Sequence, residues 1–149
     1  MTGFRVGFAT GPVHLIELMT KCVENVYSAV ATQSQYAALV AFDKGMEAMM
    51  AMKKEYKKRR DFLVSRINEM DKISCIMPKG AFYVFANIKK TGLSAEEFAE
   101  RLLEKEHVAV IPGSNFSKNA SGYVRISYGT SMEKIEDGLN RMERFLKSL

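Results

Sequence analysis

The segment Tyr123-Val124-Arg125-Ile126-Ser127-Tyr128-Gly129 alternates between apolar and polar residues, as a half-buried β-strand does. Val124, Ile126 and Tyr128 fall on one face of this strand, and Arg125 falls on the other. An arginine in such a strand must meet water, an acid or a ligand, because burying its charge alone is costly. Its planar guanidinium can hold a carboxylate with two parallel hydrogen bonds. The segment therefore predicts either a sheet-edge arginine that reaches solvent or a glutamate, or an arginine that binds a ligand.

The composition bounds the size and the chemistry of the protein. The 149 residues are 47% hydrophobic and 26% charged, which predicts one domain, or one domain with part of another. A net charge of +5 allows acidic partners but does not require them. The two cysteines, Cys22 and Cys75, are too few for a disulfide framework and lack the spacing of metal ligands. Without a recognisable signal peptide or membrane-spanning run, we expect a cytoplasmic protein with no metal site.

The first 45 residues indicate a strand followed by two helices. Residues 4–10 form a short apolar run between glycines, which predicts a strand. Pro12 suits the first turn of a helix that runs towards Val26. An alanine-rich helix follows over residues 35–42, and Gly45 is expected to end it in a left-handed conformation. A complete domain seldom begins on a glycine-bracketed strand, so we expect the chain to be a piece of a longer protein.

Residues 46–70 predict the longest helix, which is suited to connect two domains. Apolar residues recur along one face, from Met49 through Leu63 to Met70. The other faces carry a basic run over residues 53–60. This run is either a solvated helix face or a patch that binds nucleic acid. Interrupting acids and the lack of stacking aromatic residues favour the solvated face.

From residue 71 onward the pattern predicts the order strand, strand, helix, strand, strand, helix. Ser94 with Glu97, and Thr130 with Glu133, form the capping boxes that begin the two helices. The expected architecture is α/β, with a small α+β domain in which helices cover one face of a mixed sheet. The predicted strands are residues 73–77, 81–88 and 108–111 and the segment around Arg125.

Four segments follow one another in an order typical of one enzyme family. They are residues 1–12 (MTGFRVGFATGP), 34–39 (SQYAAL), 78–85 (PKGAFYVF) and 108–128, which begins VAVIPGSNF and ends GYVRISY. Together they resemble the C-terminal portion of class I/II, fold-type I aminotransferases, which depend on pyridoxal 5'-phosphate. The resemblance implies that residues 1–45 end a large cofactor-binding domain. Residues 46–149 would then be a connecting helix and a small C-terminal domain.

The resemblance implies roles for two arginines. The arginine that matches Arg5 contacts the phosphate of the cofactor, and the one that matches Arg125 grips the α-carboxylate of the substrate. The glycines Gly3 and Gly7 agree with the first role, because they let the backbone approach a ligand closely. The implied partners are an amino acid and a 2-oxo acid, and the implied assembly is a homodimer.

The sequence departs from the family in one chemically important respect. The lysine that forms the Schiff base with pyridoxal phosphate lies shortly before the segment matching residues 1–12, and these 149 residues contain no counterpart. We therefore expect no catalytic residue in this chain and no transamination by the chain alone. Ser117 and Ala120 also stand where the family usually has glycines in the loop before Arg125.

Two interpretations from other classes remain open. Arg125 could capture an amino-acid carboxylate in a stand-alone α+β binding or regulatory module, and the basic run could bind nucleic acid. His14 and His107 have no partners at catalytic spacing and are expected to be structural or exposed. The apolar faces of the first two helices predict self-association of the chain.

Overall fold

The computed structural model describes residues 1–149, which divide into two compact units, Met1–Ala51 and Met52–Leu149. The division falls within the helix α3, Met46–Glu69. The sequence predicted this helix over residues 46–70, and the structure confirms it. No helix of the chain is both long enough and apolar enough to cross a membrane.

The first unit contains helices α1, Val13–Val26, and α2, Thr32–Lys44, after a single 3-10 turn at Thr2–Phe4. The predicted strand over residues 4–10 is absent, and this prediction was wrong. An extended segment becomes a strand only when a neighbouring segment exchanges backbone hydrogen bonds with it. This unit contains no strand that could pair with residues 4–10. Phe8 instead packs edge-on against Phe42, with ring centroids 4.9 Å apart.

Gly45 joins α2 to α3 in a right-handed conformation, with φ −85° and ψ −3°, so the predicted left-handed cap was wrong. Its N–H donates to the carbonyl oxygen of Ala41 at 2.9 Å. A Cβ atom at residue 45 would collide with that same oxygen. Glycine is therefore required here by close backbone approach, and not by a left-handed φ.

The second unit is built on a four-stranded sheet in the order β1-β2-β4-β3. Every neighbouring pair is antiparallel, so the predicted mixed sheet was wrong in strand direction although the fold class is confirmed. The alternation of side chains that predicts a strand is the same in both directions, so the sequence did not reveal direction. The strands are Ser74–Cys75 (β1), Tyr83–Asn87 (β2), Ile111–Pro112 (β3) and Tyr123–Ser127 (β4).

Helices α4, Ala95–Glu106, and α5, Met132–Lys147, begin at serine caps. Ser94 Oγ accepts a hydrogen bond from the Glu97 N–H at 3.1 Å, which confirms the first capping box. At the second helix the cap is Ser131, which accepts from the Lys134 N–H at 3.4 Å. The prediction of Thr130 as the cap was therefore one residue too early. A cap of this kind contributes about 1 kcal/mol.

The core lies between one face of the sheet and helices α3, α4 and α5. Val84 and Ala86 from β2, with Val124 and Ile126 from β4, supply the sheet side of this core. The predicted apolar stripe of α5 is buried from Ile135 to Phe145, and only its last member, Leu149, is partly exposed. Each fully buried large apolar side chain contributes roughly 1.5–3 kcal/mol relative to exposure. Packing on one face leaves the other face of the sheet for Arg125.

Candidate functional site

Arg125 lies on the central strand β4, with β2 on one side and β3 on the other. Its cross-strand neighbours are Phe85 on β2 and Ile111 on β3. The adjacent residues Val124 and Ile126 are buried in the core, whereas Arg125 is only partly buried. Its side chain is therefore on the face opposite the core, as the alternation predicted. The alternative that Arg125 sits on a sheet edge is wrong.

Two aromatic rings hold the guanidinium group of Arg125. Its Cζ atom lies 4.2 Å from the ring centroid of Tyr83 and 4.5 Å from that of Phe116. Phe116 in turn packs edge-on against Phe85, with centroids 5.7 Å apart. Contacts of a cation with the faces of aromatic rings are worth roughly 0.5–1 kcal/mol each where they are exposed. The rings restrict the orientation of the guanidinium without neutralising its charge.

The guanidinium of Arg125 has no anionic partner in the chain. None of the ion pairs includes Arg125, and its side chain donates no hydrogen bond to the protein. The alternative that it pairs with a nearby glutamate is therefore wrong. All five of its N–H donors remain available, in the fork geometry that matches a carboxylate.

The loop between β3 and β4 brings Phe116 to Arg125. Gly113 is required there, because a Cβ atom would collide with the carbonyl oxygens of Ala120 and Tyr123. Ser117, which departs from the family pattern, accepts a hydrogen bond through Oγ from the Asn119 N–H at 3.3 Å. The serine therefore caps the 3-10 turn Lys118–Ala120. Its presence is compatible with the position of Phe116.

A depression of about 460 Å³ borders the same region of the sheet and is lined by Met77, Tyr83, Phe85 and Cys75, among others. Burial raises the pKa of the Cys75 thiol to about 11. The thiol is therefore protonated at neutral pH and is a poor nucleophile there. The mainly apolar walls suit a hydrophobic group and not a second anion.

Arg5 lies in the first unit and is exposed. Its backbone is left-handed, with φ 51° and ψ 40°, which is uncommon for a residue other than glycine. The side chain donates only to the Thr2 carbonyl oxygen, at 3.4 Å, and forms no ion pair. The positions of Gly3 and Gly7 border open space. An unpaired guanidinium beside open backbone is a donor set that fits a phosphate dianion.

The remaining candidates do not assemble into a site. His14 and His107 are both exposed, and His107 ends α4 in a left-handed conformation with φ 55°. No group of three or more His, Cys, Asp or Glu side chains could hold a metal ion. Sequence reasoning missed the contribution of Tyr83 and Phe116, since only strand register and loop conformation bring their rings to Arg125.

The family model and the sequence relatives that match this chain all describe aminotransferases. The model of the family described as aminotransferase class I and II matches residues 1–142. An aspartate aminotransferase from Pyrococcus horikoshii is 47% identical over 149 residues, covering 99% of this chain and 38% of the relative. Aromatic-amino-acid aminotransferase 2 from Thermococcus litoralis is 42% identical over the same length, with the same coverage.

Solved structures agree with the sequence relatives. The crystal structure of an aromatic aminotransferase from Pyrococcus horikoshii OT3 matches with a TM-score of 0.88 and 45% identity. The match covers 99% of this chain and 40% of that structure. The chain thus spans about 38% of the length of the curated relatives named above.

Proposed function

The chain belongs to the class I and II aminotransferase family, and we propose that it forms the C-terminal part of an enzyme that transfers an amino group between an amino acid and a 2-oxo acid. Enzymes of this family depend on pyridoxal 5'-phosphate, which supplies the electron sink for the reaction. In the proposed organisation, residues 1–45 complete a large cofactor domain. Residues 46–149 are the connecting helix and the small domain.

Arg125 is the proposed carboxylate-binding group. The observation that carries this role is its guanidinium, which lies between the rings of Tyr83 and Phe116 and has no acidic partner. A substrate α-carboxylate would accept two parallel hydrogen bonds from it. Because the rings restrict the guanidinium beforehand, less freedom is lost when the carboxylate binds. The chain would in this way orient the amino acid for reaction.

Arg5 is the proposed contact to the cofactor phosphate. Its exposed guanidinium has one weak intrachain hydrogen bond, at 3.4 Å, so several donors remain for a dianion. Gly3 and Gly7 add open backbone on either side. Arg5 would anchor the cofactor and would not take part in proton transfer.

A chimera tests both the activity and Arg125. Residues 1–149 would replace the matching segment of the Pyrococcus horikoshii aspartate aminotransferase, which is 47% identical. We expect transamination by the chimera. Arg125→Lys should lower kcat/KM about 100-fold, because a lysine loses the bidentate grip of the guanidinium. Arg101→Lys, on the surface helix α4, is the matched control. Equal effects of both substitutions would refute the role of Arg125.

The two rings are tested in the same chimera. Tyr83→Leu and Phe116→Leu should each raise KM for the amino acid a few-fold, as expected from the loss of roughly 0.5–1 kcal/mol of cation–π interaction. Tyr83→Phe keeps the ring and should leave KM within about twofold of the unchanged chimera. A large change in KM with Tyr83→Phe would instead assign a role to the hydroxyl group.

The 149-residue polypeptide by itself is proposed to be inactive. The cofactor lysine of the family lies ahead of the segment that matches residues 1–12, and lysine supplies both the covalent attachment and the proton transfer. Borohydride treatment with pyridoxal phosphate should label no single lysine specifically. One specifically labelled lysine together with measurable turnover would refute the proposal. Saturable binding of an amino acid to this polypeptide would favour the binding or regulatory module.

We also propose a cytoplasmic homodimer for the whole enzyme, and self-association for the 149-residue polypeptide. The second proposal rests on exposed apolar side chains of α1 and α2, among them Leu18, Val26 and Leu39. Exposed apolar patches of this kind favour association. Sedimentation velocity over a hundredfold concentration range should reveal species larger than 16.8 kDa. A monomer throughout that range would contradict self-association.

A further inference from the structure

A basic cleft of about 420 Å³ lies between α3 and the loop that precedes β2. Four cationic side chains and two tyrosines supply most of its lining. They are Lys53, Tyr56, Lys57 and Arg60 from α3, Lys79 from the loop, and Tyr128. All of them belong to the second unit. The volume lies in the range of small-molecule sites.

The cleft carries an excess of positive charge. Asp61 is the acid that pairs with its lining, at 2.8 Å from Lys57 Nζ and 2.7 Å from Arg60 Nη2. Hydrogen bonds from Lys57 and Arg60 hold the pKa of Asp61 below its usual value. Lys53 and Lys79 form no ion pair or side-chain hydrogen bond in the chain. Two unpaired ammonium groups therefore face one space together with Arg60.

The walls of the cleft are fixed by hydrogen bonds. Arg60 Nη1 donates to the Pro78 carbonyl oxygen at 3.1 Å, which ties α3 to the loop. The hydroxyl group of Tyr128, which is buried, donates to the Ala81 carbonyl oxygen at 2.9 Å. The backbone N–H groups of Gly80 and Ala81 donate to no backbone carbonyl. Unused N–H groups beside a cationic lining are typical of phosphate sites.

We propose that this cleft binds a small anion with two or more linked phosphate groups. Several cations around one space favour an anion with more than one charge over a single carboxylate. A nucleic-acid surface is less well supported, because Tyr128 is 1% exposed and cannot stack on a base. The ring of Tyr56 already stacks on Phe82 and contacts the guanidinium of Arg59. Lys54 and Lys58, in the same basic run, do not line the cleft. The proposal does not depend on the aminotransferase activity.

The test is a calorimetric titration of the 149-residue chain with inorganic pyrophosphate. The double variant Lys53→Gln/Lys79→Gln removes the two unpaired ammonium groups. The double variant Lys54→Gln/Lys58→Gln removes the same charge from exposed positions outside the cleft. We expect saturable binding, a loss of at least about tenfold in affinity with the first variant, and a change within about twofold with the second. Far-UV circular dichroism should show that both variants remain folded.

Several outcomes would overturn the proposal. One is the absence of saturation by pyrophosphate up to several millimolar, since single charged contacts already support millimolar affinity. Another is equal weakening by both double variants, which would indicate general attraction by surface charge. Inorganic phosphate binding as tightly as pyrophosphate would refute the requirement for linked phosphates. Tighter binding of a single-stranded oligonucleotide that is lost with Lys54→Gln/Lys58→Gln would indicate a nucleic-acid surface.

Discussion

The two units differ most in the number of apolar side chains that they bury. All twenty buried apolar residues of the chain belong to Met52–Leu149, whereas the one buried residue of Met1–Ala51 is Ser34. Ser34 is held by a polar contact, since its Oγ donates to the Phe4 carbonyl oxygen at 2.7 Å. The second unit thus has a hydrophobic core of its own, and the first unit does not.

Helices α1 and α5 show what this difference means. Both carry apolar residues at helical spacing, but Leu18 of α1 is 58% exposed and Leu139 of α5 is 2% exposed. The pattern along a helix identifies the face that gains from burial. It does not identify the surface that buries that face. Only the second unit supplies such a surface, through the sheet and helix α4.

The largest expected effect separates the buried core of the second unit from the exposed apolar side chains of the first unit. Phe98→Ala removes a fully buried ring that packs edge-on against Phe145, with centroids 5.3 Å apart. It should lower the free energy of unfolding by about 3–5 kcal/mol. Phe42→Ala, at a residue 63% exposed in the first unit, should change it by about 1 kcal/mol or less.

Urea denaturation followed by circular dichroism measures both phenylalanine variants. Similar losses from both would mean that Phe42 is covered in solution, and that the two units are less different than their burial indicates. A small loss from Phe98→Ala would contradict the assignment of the core.

The rates at which the two cysteines react with an alkylating reagent should also differ between the units. Cys22 is exposed on α1, whereas Cys75 on β1 is partly buried and has its pKa raised to about 11 by burial. At pH 8, iodoacetamide should modify Cys75 at least about tenfold more slowly than Cys22, since the thiolate is the reactive form. Its rate should rise with pH towards 11.

Peptide mass mapping at increasing times of alkylation measures both cysteine rates, with Cys22→Ser and Cys75→Ser as single-site controls. Slow modification of Cys22 would show that the α1 surface is covered in solution. Fast modification of Cys75 at pH 8 would show that β1 opens readily.

The smallest expected effect concerns acid stability within the second unit. Hydrogen bonds from Lys147 and Arg66 hold the pKa of Glu143 below its ordinary value of 4.5. This group therefore contributes stability above about pH 4.5 that is lost as pH falls through its lowered pKa. Glu143→Gln should slightly lower stability at pH 7 and weaken its decline towards pH 3.

Glu136→Gln is the control for the acid experiment, since Glu136 lies on the same helix and forms no ion pair with Arg66. Thermal unfolding from pH 7 to pH 3 should show little change with this control. An identical pH profile for both variants would mean that the contacts of Glu143 with Lys147, at 2.7 Å, and with Arg66, at 3.1 Å, contribute nothing in solution.

Local signals predicted the second unit well. Ser94 and Glu97 marked the start of α4, because a serine side chain satisfies an N–H that the first turn leaves free. The alternation around Arg125 placed its side chain on the correct face. The strand predicted over residues 4–10 is absent. An apolar run between glycines has the same pattern whether or not another strand pairs with it, so the pattern could not exclude an unpaired segment.

The site was only partly predictable. The sequence singled out Arg125 because a charge on a half-buried strand requires a partner. It did not identify Tyr83 and Phe116 as its neighbours, since their contacts depend on register and on the path of a loop. The basic cleft was hidden for the same reason, as Lys79 joins the α3 cations only after the chain folds back.

The sequence by itself determined the family, the helical periods, the faces of the strands and the identity of the central arginine. Those properties depend on residues that are near one another along the chain. The tertiary structure decided the antiparallel direction of the sheet, the aromatic contacts of Arg125, and the burial of α5 but not α1. Each of these depends on contacts between residues that are far apart along the chain. A local sequence pattern does not specify which distant residues will come into contact.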